Sequence, residues 1–529
     1  MSALAVARSI GPQLTHIDEL IWVGDIPALG AQRCPDRTAI LFADRNQQLS
    51  YAQLDRHSDA FAALLRSYSL PHGACIAYLG RNSDLFLPVL FGAIRAGVMV
   101  APLNWRLTAS ELAYQLADSN ARLLLCDPDL AATAARACEG AKAPIVILPT
   151  EAVGQGEHLR QLLLRPAPAT AVPHDAEAVV LLMYTSGTTG KPKGVMLGHR
   201  AISLARHGEL TAPELAHFHR DSTALSAMPN SHIGGISWVL MGLIRQCTVV
   251  LTADPSAANL LRLTREYRVQ HNFVVPTVIR AIVDELQGGS VGEPLALRGL
   301  YYGAMPMSEQ LLRAAMPLLD CPFLQFFGMT EVSGAATLLP PGDHDLGRPS
   351  LLKSVGKPYP GMIFEIRGLD RRVLQAGEHG EVWIKSPTLM LGYLNQADKT
   401  REAVIEGWYA TGDGGYIDAE GYLFLTDRIK DMIVSGGENV YPAEVEEALR
   451  RHPAVLDAAV VGAADDRWGE RVVALVQLRS GASATEAELQ GVVREHIAAF
   501  KCPKTIRFTA QLPRTAAGKV QRALVRNQF

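Results

Sequence analysis

Paired cysteines are missing from this sequence. Its seven cysteines, at positions 34, 75, 126, 138, 247, 321 and 502, are odd in number and form no C-x-x-C pair. A reducing compartment is the simpler reading of that pattern. A basic excess is also missing. The formal net charge is −3, which gives nucleic acid nothing to bind by phosphate neutralisation. The short basic stretch of Arg514, Lys519, Arg522 and Arg526 reads as a solvated face. No window offers the ~20 uninterrupted apolar residues of a membrane span; the best candidate, Leu85 to Leu103, carries Arg95. The N-terminus shows no basic segment followed by a clean apolar run, because Gly11-Pro12, His16, Asp18 and Glu19 interrupt it. A cytoplasmic protein without a transmembrane segment is expected, with peripheral membrane contact and homodimer formation left open.

What is present is a chain of 529 residues, 48% apolar and 19% charged. That composition suits a globular protein of more than one domain. Strand-like and helix-like segments alternate, the pattern of layered α/β structure. Ser50-Tyr51 opens an amphipathic helix through Leu65. Ala74 to Leu79 reads as a strand, and Leu85 to Ala96 as a buried helix stopped by Gly97. Leu123 to Cys126 and Ile145 to Leu148 are short apolar strands, and Pro166 to Asp175 is a surface connection. Near Asp427 the character changes. A helix at Glu444 to Leu449 and strands at Ala458 to Val461 and Val472 to Val476 predict a small α+β domain. The expected division is 1–427 and 428–529.

The segment richest in chemistry is Tyr184-Thr185-Ser186-Gly187-Thr188-Thr189-Gly190-Lys191-Pro192-Lys193-Gly194. Glycines let backbone N–H groups approach an anion, hydroxyls donate further bonds, and lysines add charge, so the run has the makings of a phosphate cradle. The apolar run Ala178 to Met183 precedes it and predicts a buried strand, whose end is where ligands gather in α/β folds. It is not a Walker A loop: Gly187 and Gly190 are too close, and Pro192 stands where the Mg²⁺-binding hydroxyl belongs. A solvated Gly/Thr turn is the bland alternative.

Other clusters are less decisive alone. Gln325 to Glu331 joins an aromatic pair to Gly328, Met329, Thr330 and Glu331. The aromatic can stack a purine and the carboxylate can hold Mg²⁺, although a strand end with a capping Thr is equally consistent. Tyr302-Gly303-Ala304-Met305-Pro306 predicts a turn whose Gly permits close backbone approach. Thr411-Gly412-Asp413 predicts a turn carrying a carboxylate able to chelate a diol, with an ordinary Asx turn as the commoner outcome. Asp427 to Asp431 is a charge cluster at the expected boundary. Pro513 to Lys519 is a Gly-bearing loop with a lysine. His207, His217 and His219 match no metal signature and are expected on a helix surface.

Taken together, and from about Ser50 to the end, these clusters resemble the acyl-adenylate-forming enzymes, which include acyl-CoA synthetases, firefly luciferase and peptide-synthetase adenylation domains. Gly97 to Asp118 with Pro102 to Thr108, Gly380-Glu381-Val382 with Gly392-Tyr393, and Ser435 to Glu446 add to the match. The resemblance implies a large N-terminal domain of layered α/β subdomains that binds ATP and carboxylate. It also implies a small mobile α+β C-terminal domain with a catalytic lysine and part of a CoA site. Thr185, Ser186, Gly187, Thr188, Thr189, Gly190 and Lys193 would hold the β- and γ-phosphates. Gly303, Ala304 and Met305 would face Phe327 across the adenine, with Gly328 and Met329 beside it. Thr330 would meet the α-phosphate, Glu331 with Thr185 would hold Mg²⁺, and Asp413 with Arg428 would bind the ribose. Lys519 would reach carboxylate and α-phosphate, and Lys430 would be the hinge about which the small domain turns between half-reactions. Phe327 replaces a frequent Tyr and Arg514 a frequent Lys; neither change removes the chemistry.

The same resemblance places CoA against Gly436, Gly437, Trp468, Phe500 and Lys504, although Cys502 stands where some relatives carry arginine. An acyl carrier protein is the alternative acceptor. His232 would flank the carboxylate, with Gly234, Gly235, Trp238, Gly303 and Gly328 shaping the pocket. With Ile236, Val239 and Met241 nearby and no charged partner for an amino group evident, a medium- or long-chain fatty acid or other bulky apolar acid is expected. An aryl acid such as a benzoate or cinnamate is the alternative. Nothing in the sequence signals oxygen chemistry of the luciferase kind.

Overall fold

Short apolar strands and amphipathic helices assemble as the alternation predicts. The computed structural model describes residues 20–139, 141, 144–185, 192–289, 294–305, 307–428, 431, 433–435, 438–440, 442–465, 469–497, 499–514 and 518–529. The chain divides into two compact units, residues 1–363 with 385–409 and residues 364–384 with 410–529. That division groups 364–384 and 410–427 with the C-terminal segment, because the strands Ile363–Arg367, Gly380–Lys385, Trp408–Ile417 and Leu423–Arg428 belong to one sheet.

The first unit holds two large sheets. One has seven strands in the order Gly392–Tyr393, Lys193–Gly198, Val179–Thr185, Met99–Leu103, Cys75–Leu79, Leu123–Cys126 and Val146–Pro149. Its last five strands run parallel. The helices that cover it start and pack for readable reasons. Ser50 caps Tyr51–Ser67 in a capping box with Gln53, satisfying orphan N–H groups at the helix start. Phe86–Arg95 is buried along its whole length. The two helices approach so closely that a β-carbon on Gly92 would lie 2.5 Å from the Ser58 carbonyl oxygen. Gly97, at φ 68°, then takes the left-handed conformation that ends the segment.

The other sheet has nine strands. Six inner ones, Phe323–Met329, Gly299–Gly303, His271–Val274, Thr223–Ser226, Thr248–Leu251 and Thr38–Phe42, are parallel. Gly334–Leu339 and Lys357–Pro358 extend one edge antiparallel, and Gln47–Ser50 the other. Strands buried on both faces read as continuous apolar runs, which is why Leu123–Cys126 stood out in the sequence.

In the second unit, the long hairpin Val455–Asp465 and Gly469–Leu478 is covered by Pro442–Arg450 and Glu486–His496. Cys502 is 2% exposed in that core, and burial raises its thiol pKa. Among the described residues no helix is long and apolar enough to cross a membrane.

Candidate functional site

The phosphate-cradle segment joins two antiparallel strands. Thr185 ends Val179–Thr185 and pairs with Lys193, which opens Lys193–Gly198. The tip, with Ser186, Gly187, Thr188, Thr189 and Gly190, lies outside the described residues, but its base is firmly set. Tyr184 OH donates to Asp118 Oδ2 at 2.9 Å, and Tyr114 OH donates to the Pro192 carbonyl at 3.1 Å. Burial, first, and the Asp118 charge push the Tyr184 phenol well above its ordinary pKa, so it remains a donor.

Tyr393 links this hairpin to Glu331. Its OH donates to Glu331 Oε1 at 3.0 Å, and Lys193 Nζ sits 4.5 Å from its ring centroid, a cation–π contact. The backbone fixes the same junction: Leu394 N donates to Gly194 O and Met390 N to Glu331 O, each at 2.8 Å. Thr185, Lys193, Tyr393 and Glu331 thus form one connected group, although 62 residues separate Glu331 from Tyr393. Tyr393 stands in the Gly392-Tyr393 motif, and nothing local in the sequence signals its contact with Glu331.

Glu331 follows the strand Phe323–Met329, whose neighbour is Gly299–Gly303 in parallel register, Gly303 opposite Phe326. The carboxyl ends of these strands bring Gly303, Ala304 and Met305 beside Phe327, Gly328, Met329 and Thr330. Side chains alternate across a strand: Phe326 joins the aromatic cluster, 5.9 Å from Tyr301 and 6.3 Å from Phe273, while the half-buried Phe327 takes the other face. The left-handed residue of the turn is Ala304, at φ 64°, rather than Gly303. A strained non-glycine of this kind is held by its surroundings and marks functional turns.

The glycines expected to shape the acid pocket differ in the room around them. A β-carbon on Gly303 would lie 2.3 Å from Phe326 O, one on Gly328 would lie 1.9 Å from Gly334 O, and one on Gly235 would lie 2.4 Å from Pro229 O. These positions are closed by neighbouring backbone. Gly234, whose β-carbon would meet only side-chain atoms, of Phe273 at 3.3 Å and Met228 at 4.0 Å, is more open. His232 is the N-cap of the helix Ile233–Ile244 and is half-buried. Trp238, 3% exposed, donates Nε1–H to Leu225 O at 2.8 Å and packs 4.7 Å from Tyr301. His217 is not on a helix surface: it follows the turn Pro213–Leu215, and its Nε2 lies 3.0 Å from Tyr301 OH.

In the second unit, Thr411-Gly412-Asp413 is not a turn. It lies within the strand Trp408–Ile417 at a bulge, with Gly412 at φ 72°. Thr411 Oγ1 accepts from Asp413 N at 3.0 Å, and Asp413 pairs with Arg428 in antiparallel register. Lys519 is exposed on a loop closed by the Arg514–Val520 bridge; Arg514 Nη1 donates to Gly518 O at 2.6 Å. Lys504 is exposed, its N–H donating to Val472 O at 2.8 Å. Lys430, Gly436, Gly437 and Trp468 lie outside the described residues, as does the side chain of Phe500.

Among the described residues no group of three or more His, Cys, Asp or Glu is placed to hold a metal. A single carboxylate beside a hydroxyl- and lysine-bearing hairpin instead suits Mg²⁺, which keeps its waters and binds through one or two carboxylates plus substrate phosphates.

Comparison with known proteins gives consistent matches. The model for AMP-binding enzymes matches residues 29–394, and that for the AMP-binding enzyme C-terminal domain matches 444–519. A fatty acid–[acyl-carrier-protein] ligase of Streptomyces coeruleorubidus is 37% identical, with 97% of this chain and 98% of that protein aligned. A feruloyl-CoA synthase of an Amycolatopsis species is 35% identical over 96% of this chain and 99% of that protein. Among solved structures, o-succinylbenzoate CoA synthetase of Bacillus subtilis with its acyl-adenylate intermediate superposes at a TM-score of 0.81, 29% identical, covering 95% of this chain and 97% of that one.

Proposed function

The chain belongs to the AMP-binding enzyme family and is an AMP-forming acid–thiol ligase, and from that premise we propose that it converts a carboxylic acid with an apolar body, fatty or aryl, to its acyl-adenylate and then to a CoA thioester. The observation that carries this reading is the group Lys193, Tyr393 and Glu331, which sets a hard carboxylate beside a hydroxyl- and lysine-rich hairpin.

In the proposed first half, an acid oxygen attacks the α-phosphorus of ATP, the bond to the bridging oxygen breaks, and pyrophosphate leaves. Thr185, Ser186, Gly187, Thr188, Thr189, Gly190 and Lys193 grip the departing phosphates. Thr330 meets the α-phosphate. Ala304 and Met305 face Phe327 across the adenine, and Asp413 with Arg428 binds the ribose. Glu331 and Thr185 would hold Mg²⁺, whose charge neutralises phosphate oxygens. Lys519 reaches the reacting carboxylate and phosphate, where positioning and charge neutralisation do most of the catalysis. His232 flanks the acid. In the second half a thiolate attacks the mixed-anhydride carbonyl and AMP leaves. Gly436, Gly437, Trp468, Phe500 and Lys504 serve the thiol, and the chain bends at Lys430, the boundary of the proposed 1–427 and 428–529 domains.

A second acceptor has specific support: the 37%-identical relative is described as loading an acyl carrier protein. Acid-dependent exchange of radiolabelled pyrophosphate into ATP, followed by product analysis with CoA or a phosphopantetheinylated carrier protein, tests both readings. No exchange with any acid of a broad panel would refute the ligase. Lys519→Ala is expected to lose exchange by at least about a hundredfold while converting supplied acyl-adenylate to thioester at near wild-type rate; equal loss in both steps would remove Lys519 from the first half alone.

A further inference from the structure

Next to the ends of the strands that would hold the adenylate lies a buried polar cluster for which the mechanism has no use. Arg206 and Glu209 come from the helix His199–Thr211, Ser237 and Arg245 from Ile233–Ile244 and its C-cap, and Tyr359 from the turn after Lys357–Pro358. All five are at least nine-tenths buried: Arg206 is 1% exposed, Glu209 5%, Ser237 8%, Arg245 8% and Tyr359 4%. Arg206 Nη2 pairs with Glu209 Oε1 at 2.7 Å and reaches Ser333 O at 3.5 Å. Arg245 spends its hydrogen bonds on the Met241 and Glu209 carbonyls.

The rest of the cluster is unsatisfied. Among the described residues Arg206 Nε and Nη1, Glu209 Oε2, Ser237 Oγ and Tyr359 OH have no hydrogen-bond partner. Buried polar atoms are normally bonded, and each orphan costs about 1–3 kcal/mol. The charges do not balance either: two guanidiniums face one carboxylate, whose pKa burial raises. Guanidinium keeps its proton in proteins, so the cluster carries a net positive charge in the interior and most of its orphan atoms can donate.

Its placement points toward the proposed acid site. A β-carbon on Gly334 would lie 3.0 Å from Ser237 Oγ and 3.2 Å from Arg206 Nη2, so both groups meet over that glycine, which itself pairs with Met329. Ser237 lies five residues beyond His232, about 7.5 Å along the helix axis at ~1.5 Å per residue.

We propose, resting on the acid-activating reading, that this cluster forms the far wall of the acid pocket and that the acid carries a hydrogen-bond-accepting oxygen (hydroxyl, carbonyl or second carboxylate) at the end remote from the carboxyl that reacts. Arg206 and Ser237 donate to that oxygen. Glu209 orients Arg206 and acts through it.

The test uses matched acids: 4-hydroxycinnamate against cinnamate, and adipate or 6-hydroxyhexanoate against hexanoate. Acid binding is measured by calorimetry in the presence of ATP and a slow Mg²⁺ substitute, and kcat/KM by pyrophosphate exchange. In the wild type at least one oxygen-bearing acid is expected to exceed its plain partner by about tenfold or more, since a site built to hydrogen-bond a substrate group rejects the analogue lacking it. Arg206→Gln and, separately, the milder Ser237→Ala should bring that ratio toward one, with ATP-induced thermal stabilisation confirming that each variant folds. A wild-type ratio of one, or a ratio that both variants retain, overturns the proposal: the cluster would then be a water-filled structural feature, and the ligase reading would stand. Selective binding of oxygen-bearing acids without exchange would keep the pocket and sink the ligase reading.

Discussion

Arg160 and Arg206 are both largely buried in the first unit, yet the protein treats them in opposite ways. Arg160 makes a two-pronged pair with Asp84, at 2.7 and 2.9 Å, while its Nε and Nη2 bond Glu151 at 2.8–3.0 Å. Asp84 is 1% exposed, and the Arg160 guanidinium is held more firmly protonated by its two carboxylates despite burial. Arg206 has one carboxylate, shares its neighbourhood with Arg245, and leaves Nε and Nη1 without partners. A saturated buried charge fastens elements together; an unsaturated one is held ready for something that arrives. The first ties the strand-connecting segment at Asp84 to Leu159–Leu163. The second stands beside Gly334, which pairs with Met329 at a strand end of the candidate site.

Breaking the saturated pair should have the larger effect on stability. Arg160→Met leaves the buried Asp84 without its guanidinium, while Glu151 keeps Arg45, and removing one partner of a buried pair costs several kcal/mol. Because Arg160 keeps a 23% exposed side chain, the lower end applies, about 3 kcal/mol. Urea unfolding followed by tryptophan fluorescence would show it, and a loss under about 1 kcal/mol would mean that the network does not fasten the fold.

Acid should act on the other side of the comparison. His271 is 0% exposed. Burial first, then the charges of His217, His219, Arg245 and Arg298, depress its pKa to about 3; Ser222 and Tyr301 also face its ring. The folded state therefore favours neutral imidazole. Its contribution is full above the unfolded value near 6.5 and is lost as pH falls from there toward 3, at about 1.4 kcal/mol per pH unit for one proton. Unfolding free energies measured from pH 7 to pH 4 should decline with that slope, and His271→Gln should flatten the decline. An unchanged slope in the variant would show that other groups govern acid stability.

These contrasts also mark where the sequence could be read. The helices and strands of both units were legible because apolar periodicity and caps such as Ser50 are local. The strand ending at Thr185 and the glycine- and hydroxyl-rich segment after it were legible because the motif is contiguous. Tyr393 against Glu331 was not legible, since the contact joins distant segments. Gly412 suggested a turn at Thr411–Asp413, whereas its positive φ is taken inside a strand, just before the register shift between Asp413 and Gly415. The left-handed turn residue is Ala304, which no propensity would choose. Arg206 and Glu209 carry no local sequence signal of burial; only packing shows that both are inside.

The smallest expected effect separates the two arginines most cleanly. Removing Arg206 alone would leave Glu209 as a lone buried carboxylate and confuse the loss of a pair with the creation of an orphan. Arg206→Met combined with Glu209→Leu removes one positive and one negative charge together with three of the five orphan atoms, and leaves Arg245 on its two carbonyls. Replacing a buried pair by apolar groups of similar volume is commonly neutral or stabilising, so the double variant should unfold within about 1 kcal/mol of the wild type, or above it, while its preference between matched acids disappears. If it instead loses as much as Arg160→Met, the pair at Arg206 is a fastening like the one at Arg160, and its orphan atoms are the cost of that fastening rather than a place kept for an acid.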